Sequence, residues 1–256
     1  MISDRVLQVE VSRGVATLTL DSPANRNALS RAMRSQLGTA LTEALADDAV
    51  RVIVLDHTGR VFCSGMDLSE AAGGGEQDQG VREFPALLEA IWSSPKPVIA
   101  VVRGPARAGG VGLLAACDVV VAGTSATFAF AEVRLGIVPA VISAVVVPRM
   151  VPHVAHRLLL TGQVFDAEIA ANGGLVDLVV PDADVDGEVR AQLVHLTAGA
   201  PAALAETKRL LRARTPSQDF DSLLELSARY FASEEGQEGI AAFREKRPAR
   251  WVPTTD

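Results

Sequence analysis

Residues 104–139, GPARAGGVGLLAACDVVVAGTSATFAFAEVRLGIVP, constrain the fold of this chain more than any other stretch. The segment opens with clustered glycines, continues through small residues that predict a helix, and then enters a β-branched run that predicts a buried strand. It ends at Glu132, a carboxylate in an apolar run just before a Gly/Pro turn. Free amides at a helix start, together with one confined carboxylate, can stabilise an enolate and move a proton. We expect the rest of the chain to complete a site around them.

The sequence alternates short strands and helices up to about residue 183. Residues 5–20 predict a β-hairpin, and residues 31–46 predict a helix capped by Ser30. Apolar runs at 51–56 and 98–102 predict buried strands. This alternation indicates an α/β fold.

The chain beyond residue 185 has the pattern of consecutive helices, at about 187–197, 201–213 and 219–246. We therefore divide it into a core at residues 1–185, which contains the predicted site, and a helical C-terminal segment at residues 186–256. A glycine-rich stretch at residues 71–80 predicts a mobile loop, which we expect to cover the substrate pocket.

Composition narrows the classes of function. A formal net charge of -7 argues against broad nucleic-acid binding. Neither a signal-peptide pattern nor an apolar run of membrane-spanning length is found in the sequence, so we expect a cytoplasmic protein that does not enter a membrane. Cys63 and Cys117 sit among apolar or small residues, which fits a reducing compartment.

Residues 62–68, FCSGMDL, predict a strand end that breaks into a turn. Gly65 lets the backbone turn so that the amide of Met66 points into a cleft. An ordinary strand-to-loop turn, in which Asp67 caps a helix, explains the same residues.

The glycines of residues 104–112 leave amides at a helix start available to a ligand. Neither the phosphate-loop pattern nor the dinucleotide-binding spacing is present. Close packing of a helix on a sheet is the alternative explanation.

The apolar neighbours of Glu132 predict a raised pKa, which suits a proton shuttle. The alternative is a surface glutamate paired with Arg134. His153 and His156 lie three residues apart on a predicted helix, but no third ligand is near them in sequence, so we expect no metal site.

Taken together, these segments resemble the crotonase family, also called the enoyl-CoA hydratase/isomerase superfamily. The resemblance covers nearly the whole chain and rests on the order and spacing of eight segments. These are NRNAL (25–29), FCSGMDL (62–68), KPVIA (96–100), residues 104–118, residues 132–139, LLTG (159–162), GLV (174–176) and AFREKR (242–247).

The resemblance implies a crotonase-like spiral of ββα units with a C-terminal helical trimerisation segment. The assembly would be a homotrimer or a hexamer, the latter a dimer of trimers. The resemblance also implies an oxyanion hole, in which Met66 N–H and Gly109 N–H bind the thioester carbonyl oxygen, and a proton-transfer role for Glu132.

The resemblance further implies the contacts to coenzyme A, which is part of an acyl-CoA substrate, so that no separate cofactor is implied. The matching positions are Arg26, Ala28, Ser64, Asp67 and Leu68, and also Phe243 and Lys246, which in relatives reach the CoA of a neighbouring subunit.

Two positions depart from the hydratase pattern. Hydratases of the best-known type carry two glutamates: the second matches Glu132, and the first falls on Gly112, which we include among the substrate-binding positions. Ala140 lies where many relatives have a glycine-rich turn, and we expect its amide to bind a water.

Three functions follow from these features. The first is a hydratase-type lyase that adds water to a 2-enoyl-CoA, and residues 132–143 resemble hydratases of branched acyl-CoAs such as methylglutaconyl-CoA. The second is an enoyl-CoA isomerase that uses a single glutamate, which Gly112 favours. The third is a non-catalytic acyl-CoA-binding relative.

Overall fold

The computed structural model describes residues 5–71, 83–212 and 233–252. The strands, in chain order, are β1 Leu7–Ser12, β2 Val15–Leu20, β3 Val52–His57, β4 Val98–Val102, β5 Ala106–Arg107, β6 Val119–Gly123, β7 Thr127–Ala129, β8 Phe165–Asp166 and β9 Leu178–Val180. The helices are α1 Arg31–Ala46, α2 Leu68–Ala71, α3 Phe84–Trp92, α4 Gly109–Ala116, α5 Ala140–Arg149, α6 Pro152–Thr161, α7 Ala167–Asn172, α8 Val185–Ala198, α9 Pro201–Arg212 and α10 Glu234–Glu245.

The larger sheet has the strand order β1-β2-β3-β4-β6-β9. Strands β1 and β2 form the predicted antiparallel hairpin, and every later neighbour pairs in parallel. Parallel neighbours require crossover connections, which the helices between the strands supply. The predicted α/β class with a helical C-terminal region is confirmed.

The central strands of this sheet are buried on both faces. Residues 98, 100 and 102 of β4 pack into the main core, whereas residues 99 and 101 pack into a second cluster behind the sheet. Val185 and Val189 of α8 complete that second cluster. Two-sided burial explains why these strands are uniformly apolar rather than alternating.

Side-chain caps fix the starts of two helices, and the one at Ser30 was predicted from the sequence. Ser30 Oγ accepts the amide of Met33 at the start of α1. Asp166 Oδ1 accepts the amide of Ile169 at the start of α7. Each cap pairs an amide that has no partner inside its helix.

A smaller sheet, in the order β5-β7-β8, lies next to the predicted site. An isolated bridge joins Cys63 to Ala106 of β5, and another joins Leu29 to Met66. These bridges bring residues 62–66 beside the start of α4, although the two segments are far apart in the sequence.

Polar contacts tie the C-terminal helices to the core. Lys208 of α9 donates from Nζ to Asp118 Oδ2 at 2.6 Å. Beyond α10, Trp251 donates from Nε1 to Ala198 O at 3.0 Å. Within residues 5–71, 83–212 and 233–252, every helix is too short or too polar to cross a membrane. Most of the predicted loop at 71–80 lies outside the described residues.

Candidate active site

An apolar cavity of about 210 Å³ lies between the start of α4, the 3₁₀ turn Glu132–Leu135 and the start of α5. Its walls include Met66, Phe84, Gly109, Glu132 and Ile142. Glu132 is the one carboxylate among the described lining residues. The cavity therefore combines apolar walls with few polar groups, which is typical of a small-molecule site.

The amides of Met66 and Gly109 come from two segments that touch each other. Gly65 has φ +92°, and a Cβ built on it would lie 3.1 Å from Ala108 Cβ and 3.6 Å from Gly109 N. The amide of Arg107 donates to Cys63 O at 2.9 Å, which holds the segments together. Met66 and Gly109 thus line one cavity.

Within the described part of the chain, neither Met66 N–H nor Gly109 N–H donates to a backbone acceptor. Ala108 precedes Gly109 at φ +47°, a conformation that non-glycine residues seldom adopt. Its own amide donates to Ala129 O at 2.9 Å, and its carbonyl accepts the amides of residues 111 and 112. These bonds hold the turn that immediately precedes Gly109 at the cavity wall.

Among the described residues, Glu132 has the one buried side-chain oxygen without a hydrogen-bond partner. Its side chain is buried, and Oε2 has no hydrogen-bond partner among the described residues. Burial disfavours the charged form and raises the pKa of the carboxyl group above its ordinary value. Arg134, the predicted partner in the alternative interpretation, donates from Nε to Thr161 O instead. A buried carboxyl with a free oxygen and a raised pKa is suited to proton transfer.

Two of the positions predicted to contact CoA lie beside the cavity and touch one another. Ser64 lines the cavity, and its amide donates to Arg26 O at 3.1 Å. Arg26 is exposed, with φ +59°, and the neighbouring Ala28 is buried. The loop is held by Asn27, which the sequence interpretation missed.

Asn27 is fully buried and at positive φ. Its Nδ2 donates to Thr58 O at 2.9 Å and to Val61 O at 2.8 Å, and its Oδ1 accepts the amide of Ser22. Asparagine tolerates this conformation and pairs backbone groups across a loop. The sequence Asn-Arg-Asn at residues 25–27 was the signal that could have identified Asn27.

The other predicted contacts lie in different surroundings. Asp67 Oδ1 accepts both the amide and the hydroxyl of Ser69, so Asp67 caps α2, as the alternative interpretation expects. Lys246 is exposed, with φ +55°, and lies outside the described cavity lining. The side chains of Leu68 and Phe243 lie outside the described residues.

The predicted water site at Ala140 is wrong. The amide of Ala140 donates to Val138 O at 2.8 Å across Pro139, whose φ is -75° and ψ 45°. This tight turn uses the donor that a bound water would need. Ala140 itself lines the cavity through its other atoms.

Gly112 is buried and does not appear among the described cavity-lining residues, because Ile142 lies between it and the cavity. A Cβ built on Gly112 would lie 2.6 Å from Ile142 Cγ2. The sequence interpretation missed Ile142, since its contact with Gly112 depends on how α5 packs on α4.

Arg107 also lines the cavity and was missed. Its guanidinium donates to Ala106 O and to the carbonyl and hydroxyl oxygens of Thr127. These bonds connect β5 to β7, so they support the smaller sheet beneath the site.

Comparison with known proteins places this geometry in a family. Residues 10–253 match the family model described as Enoyl-CoA hydratase/isomerase. A protein of Rhodobacter capsulatus named "Probable enoyl-CoA hydratase" is 40% identical over 259 residues, which cover 98% of this chain and 99% of that protein.

Solved structures agree with this match over almost the whole chain. An enoyl-CoA hydratase of Mycobacterium smegmatis superposes with a TM-score of 0.90 at 32% identity, covering 97% of this chain and 99% of that one. Human enoyl-CoA hydratase domain-containing protein 3 superposes with a TM-score of 0.90 at 27% identity, covering 96% and 100%. The chain belongs to the enoyl-CoA hydratase/isomerase family, the crotonase superfamily.

Proposed function

We propose that this protein adds water to the double bond of a 2-enoyl-CoA thioester and that Glu132 is its single proton-transfer group. One observation carries the proposal: Glu132, whose Oε2 has no partner among the described residues, lines the same small cavity as Met66 and Gly109. The names of the Rhodobacter and Mycobacterium relatives support hydration as the reaction.

The two amides act on the thioester carbonyl oxygen. Negative charge develops on this oxygen when a nucleophile adds at C3, and two fixed donors stabilise that charge without the reorganisation that water would need. Removing one such donor typically costs about 3–4 kcal/mol of barrier. Because Met66 and Gly109 both contribute backbone N–H groups, their alignment depends on the backbone of the two segments.

Glu132 then handles the proton in both directions. Its carboxylate accepts a proton from water as the water oxygen bonds to C3, and the C2–C3 π electrons move towards the thioester carbonyl to form the enolate. The protonated Glu132 returns the proton to C2, the carbonyl re-forms, and the carboxylate is regenerated. A raised pKa makes the carboxylate of Glu132 a stronger base in the first half of this cycle. It also lets Glu132 hold the proton for the second half at a higher pH than an exposed carboxyl group would.

A second candidate function is isomerisation of a 3-enoyl-CoA to its 2-enoyl isomer. The observation that favours it is the contact between Ile142 and Gly112, which closes the position where a second carboxylate would otherwise stand. With one carboxylate, Glu132 would take a proton from C2 to form a dienolate and return the proton to C4, which moves the double bond to C2–C3.

For substrate binding, we propose that the CoA portion passes Arg26, Ala28, Ser64, Asp67 and Leu68, with Phe243 and Lys246 reaching a neighbouring subunit's CoA. A homotrimer or hexamer and a cytoplasmic location stay predictions, as does the absence of a separate cofactor.

The test is product analysis by mass spectrometry on the purified protein, with a 2-enoyl-CoA and a 3-enoyl-CoA in separate reactions. Hydration predicts a mass gain of one water on the 2-enoyl substrate. Conversion of the 3-enoyl substrate without any hydrated product would establish the isomerase instead. Tight binding of both substrates without turnover of either would contradict both reactions.

A further inference from the structure

We propose that Ile142 determines the size of the acyl group that the cavity accepts, and that residue 112 is a glycine because Ile142 occupies the space above it. This inference rests on the proposed function, since it concerns the acyl portion of the same substrate. It identifies a specificity-determining pair that lies on two facing helices, α4 and α5.

The first step of the argument is the contact between the two residues. A Cβ on Gly112 would lie 2.6 Å from Ile142 Cγ2 and 3.2 Å from Ile142 Cβ. Real Cβ atoms almost never approach another heavy atom within 3.0 Å. Ile142 is branched at Cβ, so in a helix it has one strongly preferred rotamer and cannot simply rotate away. The side chain therefore excludes any larger residue at position 112.

The second step is the place of Ile142 in the cavity. Ile142 is only 3% exposed, and it lines the cavity together with Phe84. The Phe84 ring spans the same region, because Cβ atoms built on Gly109 and Gly112 would lie 3.4 Å and 3.6 Å from it. Ile142 and Phe84 thus form a rigid apolar wall near the Gly109 amide, where an acyl chain would begin.

The third step is the amount of space. The cavity volume of about 210 Å³ is below the range of about 300–1,000 Å³ that is common for drug-sized ligands. A short acyl group fits such a volume, and a longer one requires the wall to recede. If Ile142 were truncated, the space it leaves would be continuous with the space above Gly112. That space would stay empty because glycine has no side chain to fill it.

The experiment measures binding of two unreactive saturated thioesters, butanoyl-CoA and octanoyl-CoA, by titration calorimetry. In Ile142→Ala we expect the affinity for octanoyl-CoA relative to butanoyl-CoA to rise at least tenfold over wild type, since one methylene in an apolar pocket changes discrimination by roughly 10–200-fold. In Gly112→Ala/Ile142→Ala the new Cβ partly refills the opening, so the ratio should return most of the way to the wild-type value.

Val146→Ala is the matched control. Val146 is fully buried on the same helix, but it is not among the described residues of the cavity wall. The Val146→Ala change should lower thermal stability about as much as Ile142→Ala does, and it should leave the affinity ratio unchanged. If Ile142→Ala does not fold, Ile142→Val should shift the ratio in the same direction by a smaller factor.

Failure of this inference is distinguishable from failure of the proposed function. An unchanged affinity ratio in a folded Ile142→Ala protein overturns the inference, whatever the turnover. Absence of enoyl-CoA turnover in the wild type, with the affinity ratio shifting as expected, overturns the proposed reaction and supports the assignment of the acyl pocket.

Discussion

Two carboxylates at opposite ends of helix α4 have opposite surroundings. Asp118 lies just beyond the last turn, and both of its carboxylate oxygens accept hydrogen bonds. Oδ2 accepts the amide of Val98 at 2.8 Å and Lys208 Nζ at 2.6 Å. Its Oδ1 accepts Arg212 Nη2 at 3.0 Å. Glu132, close to the first turn of α4, has an oxygen with no partner in the described structure.

The comparison distinguishes a carboxylate that stabilises the fold from a carboxylate that is available for chemistry. Asp118 joins a strand, helix α4 and helix α9, and its lone pairs are occupied by this task. The free oxygen of Glu132 is unfavourable for folding, because buried polar groups are normally hydrogen-bonded. Because Glu132 is nevertheless buried with a free oxygen beside two unpaired amides, we expect it to act on a ligand.

The strongest test of this contrast is Glu132→Gln. We expect turnover to fall by roughly 10²–10⁴-fold, the typical contribution of a general acid–base group. The affinity for acyl-CoA should stay within a few-fold, because glutamine keeps the shape of the side chain. Steady-state kinetics and calorimetry on the same preparation measure both quantities.

Glu168→Gln, a change at an exposed glutamate of α7, is the control and should behave as wild type. Full turnover in Glu132→Gln would move the proton transfer to another group.

The second test concerns the amides that face Glu132. Gly65→Ala places a Cβ 3.1 Å from both Arg107 O and Ala108 Cβ, at a φ of +92° that alanine tolerates poorly. The resulting backbone shift should misalign both donors and reduce kcat/KM by roughly 10²–10³-fold.

Met66→Ala is the matched comparison, because it keeps the backbone donor and removes only the side chain. It should cause a much smaller loss of kcat/KM. Equal losses in the two variants would mean that the Met66 side chain, rather than the backbone, supports the reaction.

The third test removes the charge at the other end of α4. Asp118→Asn leaves Lys208 and Arg212, both largely buried, without their anion. We expect the free energy of unfolding to fall by about 3 kcal/mol, as when one partner of a buried ion pair is removed. Urea denaturation measures this change.

Glu234→Gln provides the control, because it breaks an exposed ion pair with Arg250 and should change stability little. Folded Asp118→Asn protein should retain its turnover at low temperature. A selective loss of turnover without loss of stability would contradict the structural role of Asp118.

The smallest expected effect is the stability of Glu132→Gln as a function of pH. Burial raises the pKa of Glu132, so its carboxyl group is neutral in the folded protein at low pH and no buried charge opposes folding. Folding stability is lost as the pH rises through the raised pKa, because the folded state must then hold a buried anion. Glu132→Gln removes this loss.

The variant should therefore unfold at a higher urea concentration than wild type at pH 8. This difference between the two unfolding midpoints, the gap, should become smaller towards pH 4. A gap that widens in acid would show that Glu132 is stabilised as an anion.

The sequence by itself determined the local elements and the family. Ser30 caps α1 where its position predicts, because capping depends on amides only a few residues away. The uniformly apolar strands and the order of the motifs indicated the α/β class. Pro148 lies in the last turn of α5, and Pro152 begins α6, whose first turn tolerates a residue without an N–H.

Only the tertiary structure decided how the site is completed. The approach of Met66 to Gly109 depends on backbone pairing between distant segments, and the fit of Ile142 over Gly112 depends on how two helices pack. The occupied amide of Ala140 depends on one turn whose dihedral angles the residue types alone do not fix. Periodicity and caps are short-range properties of a sequence, whereas the position of each donor, acid and apolar wall is set by contacts between residues far apart in the chain.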